Sequence, residues 1–301
     1  GFLDDDPKKI GHRIHGYKVL SNISDMLKIS LAYDELLICT PTASDEQIRT
    51  ILKYCKLTTK SYKTLPTLNE MMDKDVSMAL VRDVSYVDLL GRKEVILDNF
   101  SIKNTISTKR VLISGAGGSI GLELVKQLIK FNPSEIICID FNEEKIFDID
   151  LLSSKQNNNT ILKPMLVNIN YKRQLEKVFY DTRPHIVFHA AAYKHVPIQE
   201  LSPWTAIQTN VGGTLNMVEL SDIFGVDRFV LVSTDKAVNP VNIMGATKRL
   251  SEKLIQSLNN VSKTQFMAVR FGNVLGSSGS AVPIFQKQIS KGGPVTVTHP
   301  E

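Results

Sequence analysis

The sequence predicts an α/β protein whose main part is a doubly wound parallel sheet preceded by a smaller α/β unit, and three observations carry that prediction. From Val111 onward, short apolar runs alternate with amphipathic stretches. A glycine triplet joins the first of those runs to the first of those stretches. Upstream, a shorter series of apolar run, helix and apolar run stands apart. With 301 residues and 43% hydrophobic content, the chain is long enough for two domains with buried cores. The formal charge is only +5, with Lys and Arg interspersed among Asp and Glu, which argues against a nucleic-acid partner.

The first element is the run Asp34 to Thr40, closed by Pro41. A helix follows, with Ser44 as N-cap, Gln47 three residues on, and Ile48, Ile51, Leu52 and Cys55 at helical spacing. A second short strand near Lys63 to Leu65 completes a small Rossmann-like layer within residues 1–80. The three cysteines, Cys39, Cys55 and Cys138, lie in or beside apolar runs without metal-ligand spacing, so all three are expected to be buried thiols and no metal is expected. No apolar stretch reaches the roughly 18 residues of a membrane span, and the N-terminus lacks a signal pattern, so this stretch is expected to be soluble.

Residues 81–108, with Asp88-Leu89-Leu90-Gly91-Arg92, show no clear periodicity and read as a linker. The second domain, 109–301, has strands expected at Val111 to Ser114, Glu135 to Asp140, Ile161 to Val167, Ile186 to His189, Arg228 to Ser233 and Gln265 to Arg270. Apolar runs separated by helices imply a parallel sheet covered on both faces. The polar stretch Gln156 to Thr160 reads as a loop.

Gly115-Ala116-Gly117-Gly118-Ser119-Ile120-Gly121 follows the first strand directly and opens a helix, which is the context of a Rossmann-type dinucleotide loop. Gly115 permits the tight turn, Gly118 lets backbone approach a pyrophosphate, and Gly121 lets the helix pack on the sheet. Asp140 ends the second strand roughly 20 residues on, where a carboxylate accepts ribose hydroxyls and repels a 2′-phosphate, favouring NAD over NADP. A solvated turn carboxylate is the other reading of Asp140. The glycine spacing resembles the short-chain dehydrogenase/reductase superfamily, in particular its extended, nucleotide-sugar branch. His189-Ala190-Ala191-Ala192, Asn210 to Asn216 and Arg270-Phe271-Gly272-Asn273-Val274 agree with it. The resemblance places cofactor contacts at Gly115, Gly118, Ser119, Ile120, Gly121, Asp140, Asn168, Ile169, Ala190, Ala191 and Lys248, with asparagines at 168 and 170 where acidic residues are expected.

That superfamily carries a Tyr-x-x-x-Lys pair, the lysine holding the nicotinamide ribose. Here Met244-Gly245-Ala246-Thr247-Lys248 keeps the lysine and replaces the tyrosine with Met244, which cannot exchange a proton. Taken alone, Met244 reads as core filler. Ser233-Thr234-Asp235-Lys236 ends the preceding strand, at the sheet edge where ligands bind, and Asp235 with Lys236 can work as an acid and base pair. An exposed turn with a local ion pair is the plainer reading.

Ser233 to Pro240, Met244 with Lys248, Lys194-His195-Val196-Pro197, and Arg270 to Ser280 followed by Gly292 to Glu301 resemble the membrane-anchored UDP-N-acetylglucosamine 4,6-dehydratases of bacterial polysaccharide synthesis. The resemblance runs from about Val81 to the last residue. It implies transient oxidation of sugar C4 by bound NAD, loss of the C5 proton, departure of water from C6 and return of the hydride to C6. Lys236 would be the base, Asp235 the acid at C6, Thr234 a partner of the C4 oxygen, and Lys194 and Asn273 substrate contacts; a surface salt bridge is the alternative for Lys194. His195 is not assigned chemistry. The resemblance further implies a longer parent with transmembrane helices upstream of Gly1, facing the cytoplasm at the bacterial inner membrane, more sequence beyond Glu301, and a possible homo-oligomer. Two rivals remain: a UDP-sugar 4-epimerase, which would usually need the tyrosine absent at 244, and a non-catalytic dinucleotide sensor, which needs no Thr234-Asp235-Lys236 set.

Overall fold

The computed structural model describes residues 1–30, 32–40, 43–58, 60–65, 82–83, 95, 97–153, 159–274 and 281–297. Pro41, Val81, Asp88 to Arg92, Gln156 to Asn158, Leu275 to Ser280 and Thr298 to Glu301, named above, lie outside them. The chain divides into two compact units, Gly1–Leu97 and Asp98–Glu301.

In the first unit, β1 (Phe2–Leu3), β2 (Arg13–Ile14) and β3 (Tyr17–Ser21) form one small sheet. β4 (Glu35–Ile38), α1 (Asp45–Lys56) and β5 (Ser61–Thr64) make a parallel β-α-β crossover, and β6 (Arg82–Asp83) adds an antiparallel strand to β5. Ser44 and Gln47 form the expected capping box: Gln47 N donates to the Ser44 hydroxyl and Ser44 N to the Gln47 amide oxygen. Ile51, Leu52 and Cys55 of α1 pack with Ile38 and Met26. Cys39 departs from expectation: one residue past the end of β4, its side chain is exposed, whereas Cys55 and Cys138 are buried.

In the second unit, α2 (Asn99–Ile106) precedes β7 (Arg110–Ser114). This helix and β6 occupy part of the stretch read as linker. Asp98 caps α2 by accepting from Ser101 N, and Ile106 inserts into the core, which is enough to hold a two-turn helix that its own periodicity does not announce. There follow α3 (Ser119–Ile129), β8 (Glu135–Asp140), α4 (Glu143–Ser153), β9 (Ile161–Leu166), α5 (Lys172–Thr182), β10 (Ile186–His189), α6 (Val196–Leu201) and α7 (Pro203–Ala206). A π-helical stretch, Ile207–Gly213, leads into α8 (Thr214–Ile223), then β11 (Arg228–Thr234), a 3-10 turn (Asp235–Ala237), α9 (Ile243–Leu258), β12 (Gln265–Phe271) and α10 (Ala281–Ser290).

The six strands pair in parallel in the order β12-β11-β10-β7-β8-β9. This is the doubly wound Rossmann arrangement, and the winding reverses between β7 and β10. Alternation along the strands builds both cores. Leu112, Ile137 and Ile139 face α5, α8 and α9 through Phe179, Met217 and Ile255, while Val111, Ile113, Ile136 and Cys138 face α2, α3 and α4 through Ile106, Val125 and Ile149. Among the described residues no helix is long and apolar enough to cross a membrane.

Phe229 of β11 is fully buried, its ring 5.4 Å from Phe266 and 5.8 Å from His189. Phe229→Ala is predicted to destabilise the second unit by about 3–5 kcal/mol, because close-packed neighbours cannot refill the space. Urea unfolding followed by circular dichroism checks this, and an unchanged midpoint would refute it.

Candidate active site

At the switch point the carboxyl ends of β7 and β10 open a cleft of about 590 Å³. Gly115 has φ +69°, and a Cβ there would lie 2.6 Å from Ala191 N, so the loop and the end of β10 approach at backbone distance. A Cβ on Gly121 would sit 2.1 Å from Gly115 O, which lets α3 begin directly behind the turn. The N-cap of α3 is Gly118, with no side chain to satisfy the first-turn amides. Gly117, which the sequence reading passed over, donates its N–H to Asp140 Oδ2 at 3.0 Å, and Asp140 Oδ1 accepts from Asn142 N at 3.0 Å. A Cβ on Gly117 would also fall 2.3 Å from Lys145 Cβ.

Of the residues singled out from sequence, Gly115, Gly118, Ser119, Ile120, Gly121, Asp140, Asn168, Ile169, Ala190, Ala191, Lys194, Thr234, Lys236, Met244, Lys248 and Asn273 all line this one cleft. Asp235 is not on its wall. It stands exposed on the turn beside Lys236, with its carboxylate over Gly272, where a Cβ would come 3.3 Å from Oδ2. Asp235 Oδ1 accepts from the Thr234 hydroxyl at 2.9 Å and from Lys236 Nζ at 3.2 Å, and these two bonds hold its carboxyl below the usual range. Lys236 Nζ also reaches Asn273 Oδ1 at 3.5 Å.

Helix α9 starts against this turn because a glycine stands at 245, where a Cβ would meet Lys236 O at 2.5 Å. Asn242 caps it by accepting from Gly245 N. Met244 is buried at the cleft, one helical turn before Lys248. Lys248 is 5% exposed, and burial pulls its ammonium down to about 8 against the opposing pull of Glu252. Its ammonium has no hydrogen-bond partner among the described residues. A cation desolvated this far and left bare at a cleft is unusual for a structural lysine.

Three buried groups to which the sequence reading assigned no role hold this geometry. Asn210, in the π-helical stretch, accepts from Tyr193 N at 2.8 Å and donates to Tyr193 O at 3.1 Å and Thr247 Oγ1 at 3.0 Å, tying the loop after β10 to α9. His189 sits between Ser114 and Thr214. Thr214 donates its hydroxyl proton to Asn210 O, so it accepts from His189 Nε2–H, and Nδ1 accepts from Ser114. Burial, with the Lys248 charge adding, pushes this imidazole down to about 3 and keeps it neutral. Glu252, four residues beyond Lys248, is 1% exposed and gathers donors from three elements. The spacing of Glu252 from Lys248 was the one signal available in sequence.

These features form a glycine-lined cleft with a carboxylate and amine pair on the turn at the end of β11. Residues 111–301 match the family described as polysaccharide biosynthesis protein. The chain belongs to that family. It is 42% identical over 304 residues to the probable polysaccharide biosynthesis protein EpsC of Bacillus subtilis, covering 99% of this chain and 50% of that one. The chain thus spans about half the length of that relative. It is 39% identical over 197 residues to a UDP-N-acetylglucosamine 4,6-dehydratase (inverting) of Campylobacter jejuni, covering 63% of this chain and 57% of that one. The structure of Pen from Bacillus thuringiensis superposes with a TM-score of 0.60 at 32% identity, over 64% of this chain and 61% of that one. The family match and this superposition give the second unit a fold of the short-chain dehydrogenase/reductase type. Among the described residues no three His, Cys, Asp or Glu side chains gather as a metal-holding group.

A lysine with a folded pKa near 8 and an unfolded value of 10.5 costs folding free energy while it is charged in both states. That cost is present in full at pH 7 and is relieved as the pH rises from about 8 towards 10.5. Lys248→Met is therefore predicted to raise the melting temperature at pH 7 by roughly 2–6 °C, with the gain shrinking above pH 8. Thermal melts of both proteins across pH 6.5–10 without added ligand measure this directly; equal or lower melting of the variant at pH 7 would contradict it.

Proposed function

We propose that the cleft binds NAD and a UDP-sugar and that the protein removes water from UDP-N-acetylglucosamine to give a UDP-4-keto-6-deoxy-N-acetylhexosamine. The observation that carries this reading is the turn Thr234-Asp235-Lys236, with its 3.2 Å carboxylate and amine pair, set beside a bare buried Lys248 and a methionine at 244. The name of the Campylobacter relative supports the dehydration and the substrate.

The donor set fits the dinucleotide. The uncapped start of α3 suits a pyrophosphate, Asp140 suits ribose hydroxyls and disfavours a 2′-phosphate, and Lys248 suits the nicotinamide ribose. When bound, the dinucleotide would supply the reversible hydride chemistry that oxidation at C4 and reduction at C6 require. The chain supplies everything else. Thr234 offers its hydroxyl to the C4 oxygen, and the C4 ketone acidifies the C5 proton. Lys236 takes that proton and Asp235 protonates the departing C6 hydroxyl. Lys236 Nζ and Asp235 Oδ1 are 3.2 Å apart, so the proton taken from C5 can pass along the pair to the departing C6 oxygen. Lys194 and Asn273 line the cleft wall and, on this reading, contact the nucleotide-sugar.

Incubation with UDP-N-acetylglucosamine and NAD, followed by mass spectrometry, tests the reading. Loss of one water supports it, and unchanged mass with inverted C4 favours the epimerase. No turnover with dinucleotide bound favours a binding protein. Lys236→Ala is predicted to lower kcat by about 10²–10⁴-fold while NAD stays bound, as expected for removal of a general base. Wild-type turnover in that variant would take Lys236 out of the mechanism.

A further inference from the structure

Glu252 lies outside the cleft, yet each element that carries a candidate reacting group converges on it. Ser233 Oγ donates to its Oε1 at 2.7 Å, Arg270 Nε to Oε1 at 2.8 Å, Arg270 Nη2 to Oε2 at 2.6 Å, and Arg249 Nη1 to Oε2 at 3.2 Å. Ser233 and Arg270 are directly paired across β11 and β12, on the rung before Thr234 and Phe271. Past that rung the two strands end and become the turns that carry Lys236 and Asn273. On its own helix Glu252 is one turn from Lys248. We propose that Glu252, clamped by the Arg270 guanidinium, is a positioning residue that sets the two strand-end turns and the Lys248 helix in one register for turnover.

The chemistry suits a positioning role. Burial works to raise the Glu252 carboxyl, but the bonds from Arg270, Ser233 and Arg249 overcome it and bring it down to about 2, so the charge is permanent and all its strong acceptor directions are used. It therefore exchanges no proton and touches no ligand. A bidentate guanidinium fixes the angle between helix and strand as well as their distance. Misplacement of reacting groups by about 1 Å is enough to cost on the order of 10²-fold in rate.

The inference rests on the dehydratase reading, and its test separates the two. Arg270 is partly exposed, and with Glu252, Gln256 and Asn259 it lines a second, open cleft of about 460 Å³, so a small guanidinium ion can enter the space left by its side chain. In Arg270→Ala, kcat on UDP-N-acetylglucosamine is expected to fall about 10²-fold with KM nearly unchanged and NAD retained, because the groups remain present but misaligned. Millimolar guanidinium should restore activity on the order of tenfold, and Arg270→Lys, which keeps the charge without the fork, should fall between the two. Unchanged kcat in Arg270→Ala, or a loss that guanidinium does not recover while Arg270→Lys equals wild type, overturns the positioning role alone. A wild type that leaves the sugar unchanged overturns the functional reading and this inference with it.

Discussion

The close crossing of backbones at the switch point is the constraint on which the rest of the site depends. Gly115 turns with positive φ against Ala190 and Ala191, at a separation where a single added carbon would collide with main chain. Because β7 and β10 are adjacent but wind to opposite sides, their following segments diverge, and the cleft is the space they leave. Every later element inherits that geometry. α3 begins behind the glycines, and the loop after β10 is pinned by Asn210. The end of β11 faces the cleft from the far side.

Helix α9 then carries two buried charges that are handled in opposite ways. Glu252 is fully satisfied, and its partners hold it ionised despite burial. Lys248 has no hydrogen-bond partner among the described residues, and burial draws its ammonium down to about 8. Burial of an ion pair is at best a weak source of stability, and burial of a bare cation is a cost, so neither is explained by folding alone. Both become intelligible as preorganisation. A cation that already lacks water loses little more when a ligand replaces it, and a saturated carboxylate one turn away keeps the helix from relaxing towards solvent.

Much of this was legible in the sequence, because strand runs, glycine spacing and the Thr234-Asp235-Lys236 turn are local patterns. All six strands of the main sheet fall where their apolar runs place them, to within a residue or two at the ends. What was not legible depends on distant partners. Asn210 reads as an ordinary helical asparagine until the π-helical stretch aims its amide at Tyr193 and Thr247, residues on two other segments. Glu252 has meaning only when Arg270, 18 residues on, lies beside it. Cys39 looked buried because it ends an apolar run, yet its strand stops at Ile38 and the next side chain turns out to solvent. Helix α2 is short and weakly amphipathic, so its signal was a single Asp98 cap.

Met244 stands one turn before Lys248 at the same cleft. In a generic oxidoreductase of this fold, a tyrosine one turn before the lysine would exchange a proton with the sugar hydroxyl and share the lysine's field. A thioether there can do neither, and among the described residues Lys248 has no hydrogen-bonded side-chain partner. On the proposed reading this divides the labour between two elements. α9 keeps only the task of holding the dinucleotide, and proton transfer moves to the end of β11, where Thr234, Asp235 and Lys236 are linked in one hydrogen-bonded turn. A reaction that returns its hydride needs the cofactor held fixed while protons move at two other carbons. On that same reading, separating the two tasks onto a helix and a strand end, with Glu252 joining them, satisfies both requirements.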